Sequence, residues 1–316
     1  MMRKIMLDGK HDDSYCGRMG RLSLNKRVQI LELLCEGMSM RAVSRLTGTS
    51  INTVSKMLID AGKVCAAFHD ENVRDVAASR VQCDEIWSFT YAKQKNVAKA
   101  KAAPDKSGDT WTWTALDADT KLLISYLVGG RDAEYANAFM EDVASRLVNR
   151  VQLTTDGHGP YLEAVEGAFG IDIDFAQLVK MYGSVKTAKG KSLTDRFTGA
   201  KKATVTGKPD SKHISTVFVE RQNLTMRMHM RRFTRKTNGF SKKFENHFYM
   251  IALYTVYYNF CKIHQTLRIT PAMEAGLSKT VRDFEWIVGL IDARAPKLGR
   301  PAGSKNKKPQ SNGRLR

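Results

Sequence analysis

The stretch VQCDEIWSFTY, residues 81–91, determines how the rest of the chain is interpreted. Its strand-forming residues, of which Trp87 and Phe89 are among the largest, predict a β-strand, although Asp84 and Glu85 lie in its middle. Side chains of a strand alternate between two faces, so the two acids are expected to point in opposite directions. A carboxylate in a buried strand is costly unless its charge is compensated. The stretch therefore predicts a strand that carries one acid for a chemical purpose.

A sheet with covering helices is predicted from residue 81 onward. Period-two patterns predict strands at residues 81–92, 109–118, 121–130, 151–156 and 171–180. Helical patterns follow the third and fourth of these strands, at residues 132–148 and 161–169. The order predicts an α/β fold, built as an α+β mixed sheet covered by helices. We expect the tryptophans of the first two strands to pack in the core rather than to stack on bases; they are Trp87, Trp111 and Trp113.

Three shorter helices are predicted ahead of the sheet, within residues 21–62. A tight turn at Thr47-Gly48-Thr49 separates the last two, and Ser50 is a suitable N-cap for the third. This pattern is typical of an all-α helix-turn-helix domain that binds DNA, although any small three-helix bundle would share it. The third helix is polar where it would enter the major groove, which favours the DNA-binding interpretation. The residues expected to contact DNA there are Ser50, Asn52, Thr53 and Lys56.

The charge of the chain indicates a polyanionic partner, of which nucleic acid is the commonest. The formal net charge is +19, and residues 221–316 contribute 20 basic and 5 acidic residues, 20 − 5 = +15. A solubilising tail explains the last twenty residues but not the basic run near residue 231, so we expect Arg231 and Arg232 to contact phosphates. Residues 183–212 are predicted to form a basic loop.

The two ends of the chain and residues 63–80 have simpler predicted roles. Residues 1–20 are expected to be flexible, and residues 63–80 to form a helical linker. Residues 296–316 have the composition of a basic disordered tail. Within it, Arg300 in Gly-Arg-Pro resembles the core of an AT-hook, which lays an arginine in the DNA minor groove. A nonspecific polycationic tail fits these residues equally well.

Cysteine usage and hydropathy predict the compartment in which the protein works. The five cysteines are odd in number and never spaced as CxxC, so we predict no disulfide framework and no zinc. The N-terminus lacks the apolar core of a signal peptide, and no run of about 18 apolar residues is present, so no membrane association is expected. These features predict a cytoplasmic protein.

Three acids have settings that favour chemistry over a solvated surface. Asp84 lies in the first strand, Asp156 ends a later strand before the Gly-rich turn DGHG, and Glu220 begins a helix followed by arginines. Ligand sites of open α/β sheets lie at the carboxyl ends of strands. Carboxylates there would suit two Mg²⁺ ions, about 3.5–4 Å apart, that clamp an in-line phosphoryl transfer, with Mn²⁺ as an alternative. Spacing alone does not exclude a surface role, and His158 is interpreted as a turn residue more readily than as a helper of a metal-bound water.

Four motifs, in order, resemble those of the DDE transposases of bacterial insertion sequences, and the InsB-like group most closely. They are CDEIWSF, TTDGHGPY, VERQNLTMRMHMRRFTRKTNGFSK and YYNFCKIHQTLRITPA, and together they span roughly residues 81–272. The resemblance implies a ribonuclease-H-like catalytic domain over residues 81–295. It differs from the group in one respect, because the only cysteine ahead of the helix-turn-helix is Cys16 and a zinc finger is therefore not expected.

The resemblance also implies a set of roles. Asp84, Asp156 and Glu220 would hold the catalytic metals, and Asn223 and Arg227 would lie near the DNA. The implied activity is cleavage at element ends, followed by attack of the freed 3′-hydroxyl on target DNA, by a homodimer or higher homo-oligomer at the bacterial nucleoid. An inactive or domesticated transposase that acts as a DNA-binding regulator is the alternative, and a nuclease or integrase of the same fold is a third. The presence of all three acids favours the active enzyme.

Overall fold

A computed structural model of the chain describes residues 22–186, 192–234 and 236–294. The expectations for residues 1–20 and for the tail at 296–316, including that for Arg300, lie outside the described residues. None of the described helices is long and apolar enough to cross a membrane.

A six-stranded mixed sheet forms the centre of the described chain, which confirms the predicted α/β class with a mixed sheet. The strands are β1 Arg80–Thr90, β2 Gly108–Asp117, β3 Leu123–Gly129, β4 Gln152–Asp156, β5 Asp174–Lys186 and β6 Ser192–Thr206. Their order in the sheet is β3-β2-β1-β4-β5-β6. The parallel pairs are β1 with β4 and β4 with β5, and the other neighbours are antiparallel.

The register of β1 against β4 brings two predicted acids side by side. Arg80 pairs with Gln152, an offset of 152 − 80 = 72, and the offset holds through the last pair. The same offset separates Asp84 from Asp156, since 156 − 84 = 72. The two acids are therefore lateral neighbours on adjacent parallel strands, at the point where β4 ends and β1 continues.

Helices cover both faces of the sheet. The three that precede it along the chain are α1 Leu24–Cys35, α2 Met40–Thr47 and α3 Ile51–Asn72. The later ones are α4 Gln94–Val97, α5 Ala133–Ala144, α6 Pro160–Phe169, α7 Val217–His229, α8 Phe244–Val256, α9 Pro271–Glu274 and α10 Phe284–Arg294.

Two groups of helices pack on opposite faces of the sheet. On one face, α5 and α6 pack together and bring Phe139 and Tyr161 against Trp113 of β2. On the other face, α7 contacts β1 and β2. Helix α8 is rich in aromatic residues, and its buried side chains make it a central part of the core.

The three N-terminal helices begin where the sequence predicts. Ser39 and Ser50 cap α2 and α3 by accepting backbone hydrogen bonds, and Gly48 supplies the left-handed turn between them. However, α3 runs on to Asn72, so the predicted boundary at residue 62 and the separate linker after it are not seen. Apolar side chains of α3 continue the helical stripe beyond that boundary, and the helix packs along α8 and α10.

The predicted basic loop at residues 183–212 is wrong for most of its length. Strands β5 and β6 form an antiparallel hairpin there, paired from Phe175 with Thr206 to Lys186 with Ser192. Most residues of β6 from Arg196 onward are exposed, so this strand shows no apolar alternation of the kind that identified the others. Backbone pairing with β5, rather than burial, is what makes this segment a strand.

Candidate metal centre

A buried asparagine fixes the position of Asp84. The side-chain amide of Asn223, on α7, donates a hydrogen bond to Asp84 Oδ2 at 2.8 Å. The Thr114 hydroxyl donates in turn to Asn223 Oδ1 at 3.3 Å. Asn223 is 3% exposed. Asn223 thus contacts the acid from inside the protein, and its expected position near the DNA remains a prediction.

Three carboxylates converge at the end of β4. Asp84, Glu85 and Asp156 each offer one oxygen, and these oxygens lie within 4.8 Å of one another. Strand alternation predicts Glu85 on the face opposite Asp84 and outside the site, yet one of its oxygens lies within 4.8 Å of an oxygen of each of the other two acids. Since β4 ends at Asp156 while β1 continues, no β4 residue lies beside Glu85, and the carboxylates of both faces can meet at this open edge.

Burial and mutual repulsion raise the pKa of both β1 carboxyls, those of Asp84 and Glu85. Burial, together with the charge of Asp156, raises the pKa of Asp84 to about 6, against the opposing hydrogen bonds from the Glu85 backbone and Asn223. Burial and the same Asp156 charge raise the pKa of Glu85 to about 7, despite the opposing effects of Tyr161 and Arg131. A positive charge among these groups would relieve both effects, so the cluster has the chemistry of a cation site.

Arg131 supplies part of that positive charge. Its Nε donates to Glu85 Oε2 at 3.2 Å, and its Nη2 lies 3.9 Å from Asp156 Oδ2. Glu85 is thereby ion-paired with Arg131. The other oxygen, Glu85 Oε1, is buried without a hydrogen bond of normal geometry, as is the Tyr161 hydroxyl that faces this carboxyl. A buried carboxylate oxygen without a hydrogen bond of normal geometry is a further feature that fits a metal ligand.

Glu220 lies beside the three carboxylates but is not one of them. It stands in the first turn of α7 and accepts a 2.7 Å hydrogen bond from Lys180 Nζ, and another from the Thr216 hydroxyl. Its charge is among the causes that raise the pKa of Asp84. Burial lowers the pKa of Lys180, but the hydrogen bond and charge of Glu220, together with the charge of Asp84, raise it overall. Lys180 of β5 is therefore a fixed cation at this edge that the sequence did not reveal.

His158 packs between aromatic rings next to the cluster. Its ring centroid lies 5.8 Å from that of Trp113 and 6.0 Å from that of Tyr161. Its backbone N–H donates to Asp156 Oδ1 at 3.0 Å, which orders the turn. Burial and the charge of Arg131 lower its pKa. These contacts agree with the favoured interpretation of His158 as a turn residue.

The residues predicted to bind DNA fall into two groups. Ser50 caps α3, Asn52 and Lys56 are exposed and Thr53 is half-buried, so this set remains a prediction for the groove. The basic run near residue 231 does not continue α7, which ends at His229 and is followed by a short 3₁₀ turn, Arg231–Phe233.

The three arginines of the second group, Arg227, Arg231 and Arg232, are only partly accessible. Arg227 is half-buried on α7, and Arg231 is half-buried in the turn after it. Arg232 turns inward, donating to the Asn246 carbonyl and contacting Met40 Sδ at 3.8 Å. The expected phosphate contacts of Arg231 and Arg232, and the expected position of Arg227 near the DNA, remain predictions.

The fold and the site define an α/β protein with a carboxylate cluster at the carboxyl end of its parallel strands, made of the oxygen ligands that hard divalent cations prefer. Neither a protein-family model nor a curated protein sequence matches the chain. Among solved structures, the chain is similar to the piggyBac transposase synaptic complex with hairpin DNA, at 10% identity and a TM-score of 0.41, over 94% of this chain and 78% of that one. It is also similar to a pre-cleavage Mos1 transpososome, at 12% identity and 0.20 over 55% and 64%, and to the Mos1 strand transfer complex, at 13% and 0.25 over 81% of both.

Proposed function

We propose that the protein is a metal-dependent DNA phosphoryl-transfer enzyme, a DDE transposase that cuts element ends and joins them to target DNA. The observation that carries the proposal is the meeting of Asp84, Glu85 and Asp156 at the open edge of the sheet. The order of the four transposase-like motifs and the net charge of +19 support DNA as the substrate.

Asp84 and Asp156 would be the principal metal ligands, and Glu220 would complete the set from the neighbouring helix. Bound Mg²⁺ would polarise a phosphodiester and stabilise the charge on the attacking and leaving oxygens, with Mn²⁺ as a substitute. Asn223 orients Asp84 through its 2.8 Å hydrogen bond. Arg131, which bonds Glu85, holds a positive charge beside the carboxylates.

Further aspects of the proposal concern assembly and DNA binding. The N-terminal helices would recognise element ends through the exposed start of α3. Two or more copies of the chain would act together on paired ends. These aspects rest on the resemblance described above and on the exposed polar residues of α3, such as Asn52 and Lys56.

One observation favours the alternative of a DNA-binding regulator without activity. Glu220 is already paired with Lys180 at 2.7 Å, and a carboxylate neutralised in this way is a poorer metal ligand. A regulator would keep the basic surface and the N-terminal helices but would not need a cluster of three carboxylates.

Nicking of supercoiled plasmid by the purified protein tests the two functions directly. The wild type is expected to nick DNA with Mg²⁺ or Mn²⁺ and not with EDTA. Asp84→Asn and Asp156→Asn should abolish nicking while DNA affinity is retained, and Glu220→Gln should reduce it strongly. The exposed acid Glu163, on α6, provides a matched control, because Glu163→Gln changes the same kind of group away from the site.

Two outcomes separate the proposals. If wild type and Asp84→Asn nick equally poorly while both bind DNA, the enzyme proposal fails and the regulator stands. Nicking without joining of a labelled 3′-end to a target plasmid would indicate a nuclease instead of a transposase.

A further inference from the structure

A cavity adjoins the acid cluster along β1 and has no role in the proposed chemistry. Beyond Asp84, β1 is not paired to β4, and the chain after α7 runs beside it instead, reaching a bridge between Thr90 and Ser241. The cavity of about 390 Å³ lies between these two segments. Cavities of roughly 300–1,000 Å³ are typical of small-molecule sites.

Aromatic rings form the apolar wall of this cavity. Trp87, Phe89 and Phe233 line it, and the first two are only half-buried. The ring centroids of Trp87 and Phe89 lie 5.8 Å apart, and Phe89 is backed by Phe240 at 4.6 Å. A core would cover these rings completely, as it covers Trp113. Partly open rings supported from behind can instead stack with a planar ligand.

The remaining wall is polar and carries three cations. Lys93, Arg232 and Lys236 line the cavity, and none of the described residues that line it is acidic. Lys93 Nζ lies 5.9 Å from the ring centroid of Trp87. Within the described chain, the guanidinium of Arg232 contacts the Asn246 carbonyl and Met40 Sδ but pairs with no carboxylate. Burial without an acidic partner lowers the pKa of Arg232 to about 10, and an anion in the cavity would relieve this cost.

The cavity and the acid cluster are contiguous. Trp87 follows Glu85 by two residues on the same face of β1, which places them about 7 Å apart along the strand. The Arg131 guanidinium lies 4.5 Å from the ring centroid of Trp111, which is the cross-strand partner of Trp87. Arg131 in turn bonds Glu85. A nucleic acid chain at the carboxylates would therefore pass this cavity.

We infer that the cavity binds an unpaired nucleotide of single-stranded DNA, with its base against Trp87 and Phe89 and its phosphate near Arg232 and Lys236. Stacking on aromatic rings accepts any base, but only a base that has left the duplex stack can reach the rings. An acidic peptide would satisfy the cations and leave the rings without a planar partner, so a nucleotide fits the whole cavity better. The inference extends the proposed function by assigning the acid cluster a substrate that is single-stranded at or near the reacting phosphate.

Binding measurements in EDTA test this inference without requiring cleavage. Fluorescence anisotropy would compare a labelled oligothymidylate, an abasic oligomer of equal length and a duplex of equal length. The wild type is expected to bind oligothymidylate more tightly than the abasic strand, since the latter has phosphates but no bases. Trp87→Ala should weaken oligothymidylate binding roughly 5- to 150-fold and leave the duplex within about twofold.

Three further variants control for folding and charge. Trp87→Phe keeps a ring and should restore most of the affinity. Lys236→Gln removes an exposed cation of the cavity and should weaken all single strands, whereas Lys279→Gln removes an exposed cation elsewhere and should change none of them. Thermal unfolding of each variant would verify that the fold is retained.

The inference is overturned if the abasic strand binds as tightly as oligothymidylate, or if Trp87→Ala and Lys236→Gln both bind oligothymidylate like the wild type. Displacement of oligothymidylate by oligoglutamate at equal charge concentration would also overturn it, in favour of an acidic-peptide site. Failure of the enzyme proposal has a different signature, because plasmid nicking would then be absent while Trp87-dependent binding persisted.

Discussion

At the residue scale, strand alternation alone does not predict that the carboxylate of Glu85 meets those of Asp84 and Asp156. The alternation itself is correct, but it describes a strand with partners on both sides. Beyond Asp84, β1 has lost its β4 partner, so Glu85 and Asp156 can approach at the edge. Their approach depends on where β4 ends, at Asp156, which lies 72 residues after Asp84. The pattern of residues within β1 cannot show where that other strand ends. The pairing of Asp84 with Asp156, by contrast, agrees with the expectation that ligand sites gather at strand ends.

The raised pKa of Glu85 predicts an unusual pH dependence of stability. Its carboxyl titrates at about 7 in the folded protein, against 4.5 ordinarily, so its protonated form favours folding. This contribution is fully present below about pH 4.5 and is lost as the pH rises through about 7. In EDTA, Glu85→Gln should therefore be more stable than wild type at pH 8, by on the order of 1–3 kcal/mol, with little difference at pH 4.5.

Urea unfolding at the two pH values measures this effect. The difference between variant and wild type isolates Glu85, because the buried His247, whose low pKa opposes stability in acid, contributes equally to both. Glu163→Gln serves again as the exposed control. An equal change at both pH values would contradict the assignment of a raised pKa to Glu85.

Asn223 provides a second test at this scale. Asn223→Ala removes the hydrogen bond to Asp84 Oδ2 and leaves the carboxylate with the Glu85 backbone bond, so that it is less firmly oriented. In the proposed nicking reaction we expect a loss of roughly 10- to 100-fold, since hydrogen bonds to charged groups are worth about 1.5–3 kcal/mol. Thr225→Ala, on the same helix, removes only a hydroxyl bonded to the Arg221 carbonyl and should retain activity. Plasmid nicking at saturating Mg²⁺ would fail to support the positioning role if both variants matched the wild type.

At the element scale, the start of α7 is held by β1 rather than by its own N-cap. Thr216 makes no capping hydrogen bond, and Gln82 Oε1 instead accepts from the N–H groups of Phe218 and Val219, at 2.9 and 3.1 Å. Gln82 and Asp84 lie on the same face of β1, so this cap places the helix of Glu220 over the acid cluster. An ordinary N-cap search cannot find a capping residue that precedes its helix by more than a hundred positions.

Removal of this long-range cap should destabilise the fold. Gln82→Leu keeps an apolar body of similar size but leaves two N–H groups without their acceptor, for a loss of about 1–3 kcal/mol in the free energy of unfolding. Gln177→Leu is the matched control, because Gln177 is also buried in the sheet but makes only bonds of 3.3–3.5 Å. The capping role of Gln82 would be contradicted by equal losses in urea unfolding of the two variants.

The composition of a segment determines whether its helix or strand can be predicted from the sequence. Strands β1 to β4 carry buried apolar residues, and the sequence predicts them close to their observed positions. β6 is exposed over most of the part from Arg196 onward and is rich in Lys, Gly and Thr, so its sequence is that of a loop. The end of α3 was missed because nothing in its composition distinguishes the last turns of a helix from a helical linker.

At the scale of the whole molecule, the N-terminal helices and the sheet share one hydrophobic core. Buried residues from Ile30 in α1 through Leu58 in α3 belong to the same cluster as the sheet residue Trp113 and the helix residue Tyr254. An ion pair between Arg27 and Asp292, at 2.7 Å, joins α1 to α10 as well. The exposed start of α3 is thus held in a fixed relation to the acid cluster, and we expect the two parts to unfold in a single transition.

Gly62 marks a close approach of two helices within this shared core. It lies within α3, where a Cβ atom would come 2.2 Å from Tyr249 Cβ and 2.6 Å from Tyr249 Cα on α8. Alanine is about 1 kcal/mol better than glycine in a helix, but overpacking against a neighbouring backbone costs about 1–3 kcal/mol or more. Because the two helices must move apart, Gly62→Ala should lower the free energy of unfolding. Gly289→Ala, in α10 with nothing within 4 Å, should raise it by about 0.5–1 kcal/mol. Guanidinium unfolding followed by tryptophan fluorescence measures both, and equal stabilisation by the two alanines would show that α3 and α8 do not pack this closely.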